Sequence, residues 1–403
     1  MELHPKTLGT SRGPWLVWLL FLAAIPVIIL VFEKQHSVTG AYFPTSWAWF
    51  EGRSLYQHAL NDTPGNGFLY LPQSAILFSP FALMPHAVAE IAWRWLSIAA
   101  FAIAVWRFSQ LTGIRDRRMA FALATVIALP LSLDAGRSGQ ATILMTALMM
   151  LAMGDTASGR YGRAAAWLTL GIALKPLAIV LVLLVAALYR PMRWRLAVGF
   201  AAMFALPLLL QRPDYVWSQY VDCVDMLRVA ARRGDFHPSS QLFGMLHVWG
   251  VSVPRGAQLM LRVSAALGTL GAALWARRRL NGEHAAAMIF SLAVCYLMLF
   301  NPRTENNTYA AVGPAIGWFF ALAVVERRRG LAVLLVMAAV AIVGTYEIGK
   351  HLADVRPIWL APLGCAVFFT YLFGRLLVPE VRGHAVRRIS RAGLLTTDGG
   401  RTA

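Results

Sequence analysis

Between two long apolar runs the chain reads FNPRTENNTY (Phe300–Tyr309), with one Arg, one Glu, three Asn and two Thr in ten residues. A carboxylate there could take a proton from an attacking hydroxyl, and a guanidinium could balance charge on a departing group. Glu305 is therefore the first candidate for a general base, Arg303 for the counter-charge and Asn306 for binding hydroxyls. The same groups could instead cap helix ends or form a structural ion pair.

Four other stretches offer chemistry. LTLGIALKPLAIVLVLL places Lys175 between apolar segments, as a point charge for a phosphate or as a lysine that snorkels to the interface. DAGRSG (Asp134–Gly139) offers Asp134 as a further acid and Arg137 as a cation, or a helix cap paired with its neighbour. AWFEGRSLYQ sets Glu51, the second choice of acid, among Trp47, Phe50 and Leu55, as in a short helix lying on a membrane surface. Tyr70 and Gln73, in FLYLPQ, and Gln241, in DFHPSSQLFGML, complete the binding candidates; His237 reads as a loop residue without chemistry.

The elements that must position these residues are membrane helices. A chain of 403 residues with 58% hydrophobic and only 14% charged residues, and a mean hydropathy of +0.58, has too little polar surface for a soluble globule of that size. The first apolar run, Pro14–Val31, is followed by no small-residue cleavage site and by many equally apolar segments, so it reads as a retained helix. Under the positive-inside rule RDRR (Arg115–Arg118), GRYGR (Gly159–Arg163), RPMRWR (Arg190–Arg195), RRRLNG (Arg277–Gly282), ERRR (Glu326–Arg329) and the basic tail are cytoplasmic. The stretch Ala164–Tyr189 has basic loops at both ends and must make an even number of passes; Lys175-Pro176 is the expected turning point. The result is an all-α polytopic bundle of about 12 transmembrane or short, broken helices with both termini inside. Residues 1–377 form one integral membrane domain, with outer loops at 33–70 and 211–256, and residues 378–403 a basic tail. The tight outer turns and FNPRTENNTY then line an outward-facing polar cleft. Tyr215, Val221, Val224 and Leu227 mark a second surface helix.

This architecture gives the excess of 37 Lys and Arg over 19 acids a topological cause and offers no basic soluble module for nucleic acid. Three scattered cysteines make no disulfide framework. No P-loop, HExxH, paired CxxC or dinucleotide fingerprint is present. A divalent metal is compatible with the chemistry, but no ligand cluster indicates one, and no cofactor is called for.

The segments FEGRSLY, FLYLPQSAILFSPFALMP, GRSGQATILMTALMMLAM, LTLGIALKPLAIVLVLL, SSQLFGML and NPRTENNTY, in this order, resemble glycosyltransferase family 87. The resemblance runs from about residue 10 to residue 377. It implies a GT-C architecture and transfer of a hexose, mannose first, from a polyprenyl-phosphate carrier to a lipid or glycan acceptor at the outer face of a bacterial plasma membrane. It also implies a catalytic Asp upstream of EGRSLY, near Val38 and Thr39, where this sequence has none. The missing Asp keeps two other classes open, a transporter or flippase for a lipid-linked glycan and a noncatalytic scaffold.

Overall fold

The computed structural model describes residues 12–31, 37–62, 67–232, 240–347, 349 and 359–377; the tail 378–403, His237 and most of the connection before Trp359 lie outside them. The described residues form sixteen α-helices: α1 Gly13–Val31, α2 Phe43–Phe50, α3 Pro72–Ala82, α4 His86–Ser109, α5 Arg117–Ser138, α6 Ala141–Ala157, α7 Tyr161–Leu174, α8 Ile179–Leu188, α9 Arg190–Leu210, α10 Pro213–Arg232, α11 Leu242–Val248, α12 Arg255–Arg279, α13 Gly282–Phe300, α14 Gly313–Val325, α15 Arg329–Glu347 and α16 Leu360–Leu377. Among the described residues eight helices are long and apolar enough to cross a membrane, and three shorter apolar helices accompany them, where about twelve passes were expected. The chain is an all-helical, multi-pass membrane bundle.

Helices α6 and α13 run through the middle of the bundle. Of α6, only Leu151, Gly154 and Ala157 are not fully buried. By contrast α1, α9 and α12 leave most of their apolar surface on the outside, as lipid-facing helices do. Packing between α5 and α14 depends on small residues. A Cβ on Gly317 would sit 2.8 Å from the Ala124 carbonyl oxygen, and one on Gly313 3.2 Å from the Ala128 Cα. Residues four apart on each helix thus let two backbones touch, the small-xxx-small arrangement of membrane helix pairs.

Basic groups gather at one end. The Asp155 carboxylate, fully buried at the end of α6, meets Arg160 at 2.9 Å, Arg163 at 3.3 Å and Arg107 at 3.4 Å, and accepts from Trp167 Nε1 at 3.0 Å. Nearby, Arg277 stacks over the Tyr189 ring at 4.4 Å. Tyr189 in turn lies 6.4 Å ring to ring from Tyr161. Because Tyr161 opens α7 and Tyr189 follows α8, the chain leaves this end, breaks at Lys175-Pro176 and comes back. The two helices form a hairpin whose tip is Lys175.

One local expectation is corrected. DAGRSG, with its two glycines between apolar runs, is expected as an outer turn, but α5 continues through it to Ser138. Gly136 does not break the helix; it leaves room for Phe21, whose ring would meet a Cβ there at 2.6 Å. The turn comes at Gly139, whose φ of 73° closes a Schellman motif. Its N–H bonds Gly136 O at 3.3 Å and that of Gln140 bonds Ala135 O at 3.0 Å.

Candidate functional site

At the end of the bundle away from Asp155 lies a cavity of about 440 Å³, within the usual range for small-ligand sites. Gln140 on its wall and Asp155 stand at opposite ends of α6, about 22 Å apart at 1.5 Å per residue. Five parts of the chain build the cavity, α10 with Leu227 and Ala230 among them. The first loop contributes Ser37, Val38, Tyr42 and Tyr70, the α5–α6 turn Gln140, the hairpin tip Lys175, and the segment after α13 Asn301, Arg303, Glu305 and Thr308. On one side Leu177, Leu227 and Ala230 make the wall apolar.

Local structure explains each placement. Lys175 lies at the tip because Pro176 opens the next helical turn and cannot continue α7. Glu305 precedes the 3-10 segment Asn306–Ala311 but does not cap it with its side chain. Its carboxylate accepts instead from Gln140 Nε2 at 3.4 Å. The Gln140 carbonyl oxygen in turn accepts from Lys175 Nζ at 3.4 Å and from the Tyr42 hydroxyl at 3.5 Å. Lys175 also donates to Thr142 Oγ1 at 2.8 Å and lies 6.0 Å over the Tyr70 ring. The Tyr42 and Tyr70 hydroxyls share a hydrogen bond of 2.8 Å. Burial pushes both phenols well above the ordinary tyrosine range, so they stay protonated and serve as neutral hydrogen-bonding groups. Among the described residues lining the cavity, Glu305 is the only carboxylate, and it shares the lining with the cations Lys175 and Arg303.

The structure thus brings together Glu305, Arg303, Lys175 and Tyr70 from the sequence candidates. The others stand apart. Glu51 follows α2 in solvent, paired with Arg53; Trp47 and Phe50 beside it are exposed, whereas Leu55 turns inward. Arg137 is bridged to Glu347 at 2.8 Å and to Asp134 at 3.7 Å, outside the cavity lining. Gln73 is fully buried in α3, where its Oε1 accepts from the Tyr220 hydroxyl at 3.1 Å. Gln241 precedes α11, which is tied to the Glu305 segment through Tyr309 OH donating to Ser240 O at 3.0 Å. Asn306 begins the 3-10 turn without lining the cavity. Among the described residues no group of three or more His, Cys, Asp or Glu converges as metal ligands.

Sequence reasoning passed over Gln140, which bonds both Glu305 and Lys175, Tyr42, which donates to Gln140, and Glu90. Glu90 lies in α4 and its carboxylate accepts from Thr39 Oγ1 and, at 3.0 Å, from Ser37 Oγ. It stands beside the stretch of first loop where the resemblance implies an acid. The available signal was Glu90 and Arg94 four residues apart in a largely apolar stretch of α4, a spacing that pairs charges on one face.

The described residues form a membrane helical bundle with a mixed-charge cavity at one end. The particular family follows from comparison: the sequence model of glycosyltransferase family 87 matches residues 68–302, and the chain belongs to that family. The match covers α3 through α13, including the α5–α6 turn and the hairpin tip, and ends just before Arg303. Among curated proteins none matches the chain.

Proposed function

We propose that the protein transfers a hexose, mannose first, from a polyprenyl-phosphate carrier to a lipid or envelope-glycan acceptor at the outer face of the plasma membrane. The observation that carries this reading is the cavity, lined by one carboxylate and two cations, where Gln140 bonds both Glu305 and Lys175. The positive-inside rule turns the basic end to the cytoplasm and the cavity outward.

In the proposed reaction the acceptor oxygen attacks the anomeric carbon as the bond from that carbon to the phosphate oxygen breaks, with inversion. Glu305 takes the acceptor's proton. Lys175 and Arg303 balance the charge that grows on the lipid phosphate, which leaves as an anion and needs no proton. Tyr42, Tyr70 and Gln140 present neutral donors and acceptors to sugar hydroxyls. The apolar wall of Leu177, Leu227 and Ala230 is suited to the first units of the prenyl chain. Gln73, Gln241, Asn306, Arg137, Asp134 and Glu51 have no direct part in this scheme.

The test is transfer by purified, folded Glu305→Gln, which keeps the shape and the acceptor bond to Gln140 while removing the base. A general base contributes about 10²- to 10⁴-fold, so kcat is expected to fall by that order with donor binding retained. Near-wild-type turnover would exclude Glu305. A wild-type protein that moves the intact lipid-linked sugar across vesicles without transferring it would replace the reading with transport.

A further inference from the structure

The end of α5 is capped by other parts of the chain. Three consecutive carbonyls there would otherwise lack partners, as at any helix C-terminus. Arg137 O accepts from Arg94 Nε at 2.8 Å, Ser138 O from the Val38 N–H at 3.0 Å, and Gly139 O from Trp93 Nε1 at 2.7 Å. The next residue is Gln140, which holds Glu305 and Lys175 together. Arg94 is itself paired with Glu90, and both side chains are almost wholly buried, at 3% and 5% exposure. Arg94 Nη2 also donates to Ser37 Oγ at 3.0 Å, while Glu90 accepts from Ser37 and Thr39. The fit is tight, since a Cβ on Gly139 would stand 3.0 Å from Arg94 Cζ and 3.1 Å from Thr39 Cγ2.

We infer that the Glu90–Arg94 pair is a positioning device for the transfer reaction: it clamps the first-loop wall Ser37–Tyr42 to the α5–α6 turn and so fixes Gln140 between Glu305 and Lys175. The pair itself does not line the cavity. Burying two charges is expensive, so the pair's presence is poor evidence of a stabilising role. What it joins here is two cavity walls far apart in sequence. This inference rests on the transfer reading for its kinetic arm but not for its structural one.

Two measurements on Glu90→Gln, which keeps size and loses charge, test it. The first is hydrogen exchange over residues 37–42 in detergent-solubilised protein. Protection there should fall about tenfold or more while α6 and α13 stay unchanged, and unaltered exchange would overturn the clamp. The second is transfer kinetics. The kcat should fall at least about tenfold with the donor KM nearly constant, and the loss should disappear when Gln140→Ala is already present, because partners in one network are not additive. Rate losses that multiply in the double variant would show a merely structural pair and overturn the positioning role. If Glu90→Gln does not fold, Glu90→Asp carries the same readouts, since it keeps the charge opposite Arg94 but draws back from Ser37 and Thr39. A wild-type protein that transfers no sugar would sink the transfer reading, and exchange at residues 37–42 would still decide the clamp.

Discussion

Only 8% of Lys175 is exposed, and among the described residues its ammonium hydrogen-bonds neutral groups, Thr142 and Gln140. A buried cation held by neutral partners is stabilised when an anion arrives, because attraction strengthens where water is excluded. Glu305 supplies part of that charge from across Gln140. A phosphate in the cavity would supply the rest. Lys175→Met, which keeps the length of the side chain, should therefore lower kcat/KM for the lipid-phosphate donor by about 1 to 3 kcal/mol, the range for a lost charge-assisted hydrogen bond; unchanged kcat/KM in the folded variant would exclude the lysine. Lys175, Arg303 and Glu305 were legible in the sequence for one reason: charge is conspicuous in an apolar chain. Gln140 was not, because a lone glutamine at a helix start has no feature to distinguish it from an ordinary cap. Arg137 and Asp134 were conspicuous for the same reason as Lys175, yet their charges meet Glu347 and each other.

At the level of helices, the contact between α5 and α14 has a measurable sign. Alanine replacing glycine in a helix interior is ordinarily favourable by up to about 1 kcal/mol. Gly268→Ala, in open space on α12, should show that gain as a higher melting temperature in detergent. Gly317→Ala should show the reverse, a loss of about 1 to 3 kcal/mol, because its methyl meets the Ala124 carbonyl and two backbones must separate. Equal shifts for the two would mean that the close approach is unimportant. The helical content and the break at Lys175-Pro176 could be read from hydropathy and proline chemistry. The extension of α5 through DAGRSG could not, because glycines that make room for a neighbour look the same in sequence as glycines that end a helix. Likewise α10 carries two apolar faces. Tyr215, Cys223 and Met226 turn inward while Trp217, Val221 and Val224 remain outside, and periodicity alone merged them into one.

For the whole molecule, orientation is the open variable, and two exposed serines report on it. Ser252 precedes α12 and Ser158 follows α6 at the Asp155 end. With the cavity outward, Ser252→Cys should react with a membrane-impermeant thiol reagent in intact cells and Ser158→Cys only after permeabilisation. The native cysteines are all buried and set a low background. Labelling in the opposite order would place the cavity in the cytoplasm and remove the carrier chemistry proposed for it.

The hairpin ending at Lys175 is short. The 14 residues of α7 rise about 21 Å, against a hydrocarbon layer of about 30 Å. In the proposed orientation, with its base at the cytoplasmic boundary, the hairpin would stop below the opposite headgroup plane and hold the lysine at a depth that dissolved molecules do not visit. A sugar phosphate free in solution carries the right charge but has nothing to draw it down. A prenyl-linked one arrives already anchored, its tail in the acyl layer and its head lowered toward the ammonium. In the proposed reaction depth would then act as a filter that comes before any contact with the sugar, separating membrane-borne phosphates from soluble ones by where they can dwell rather than by what they look like.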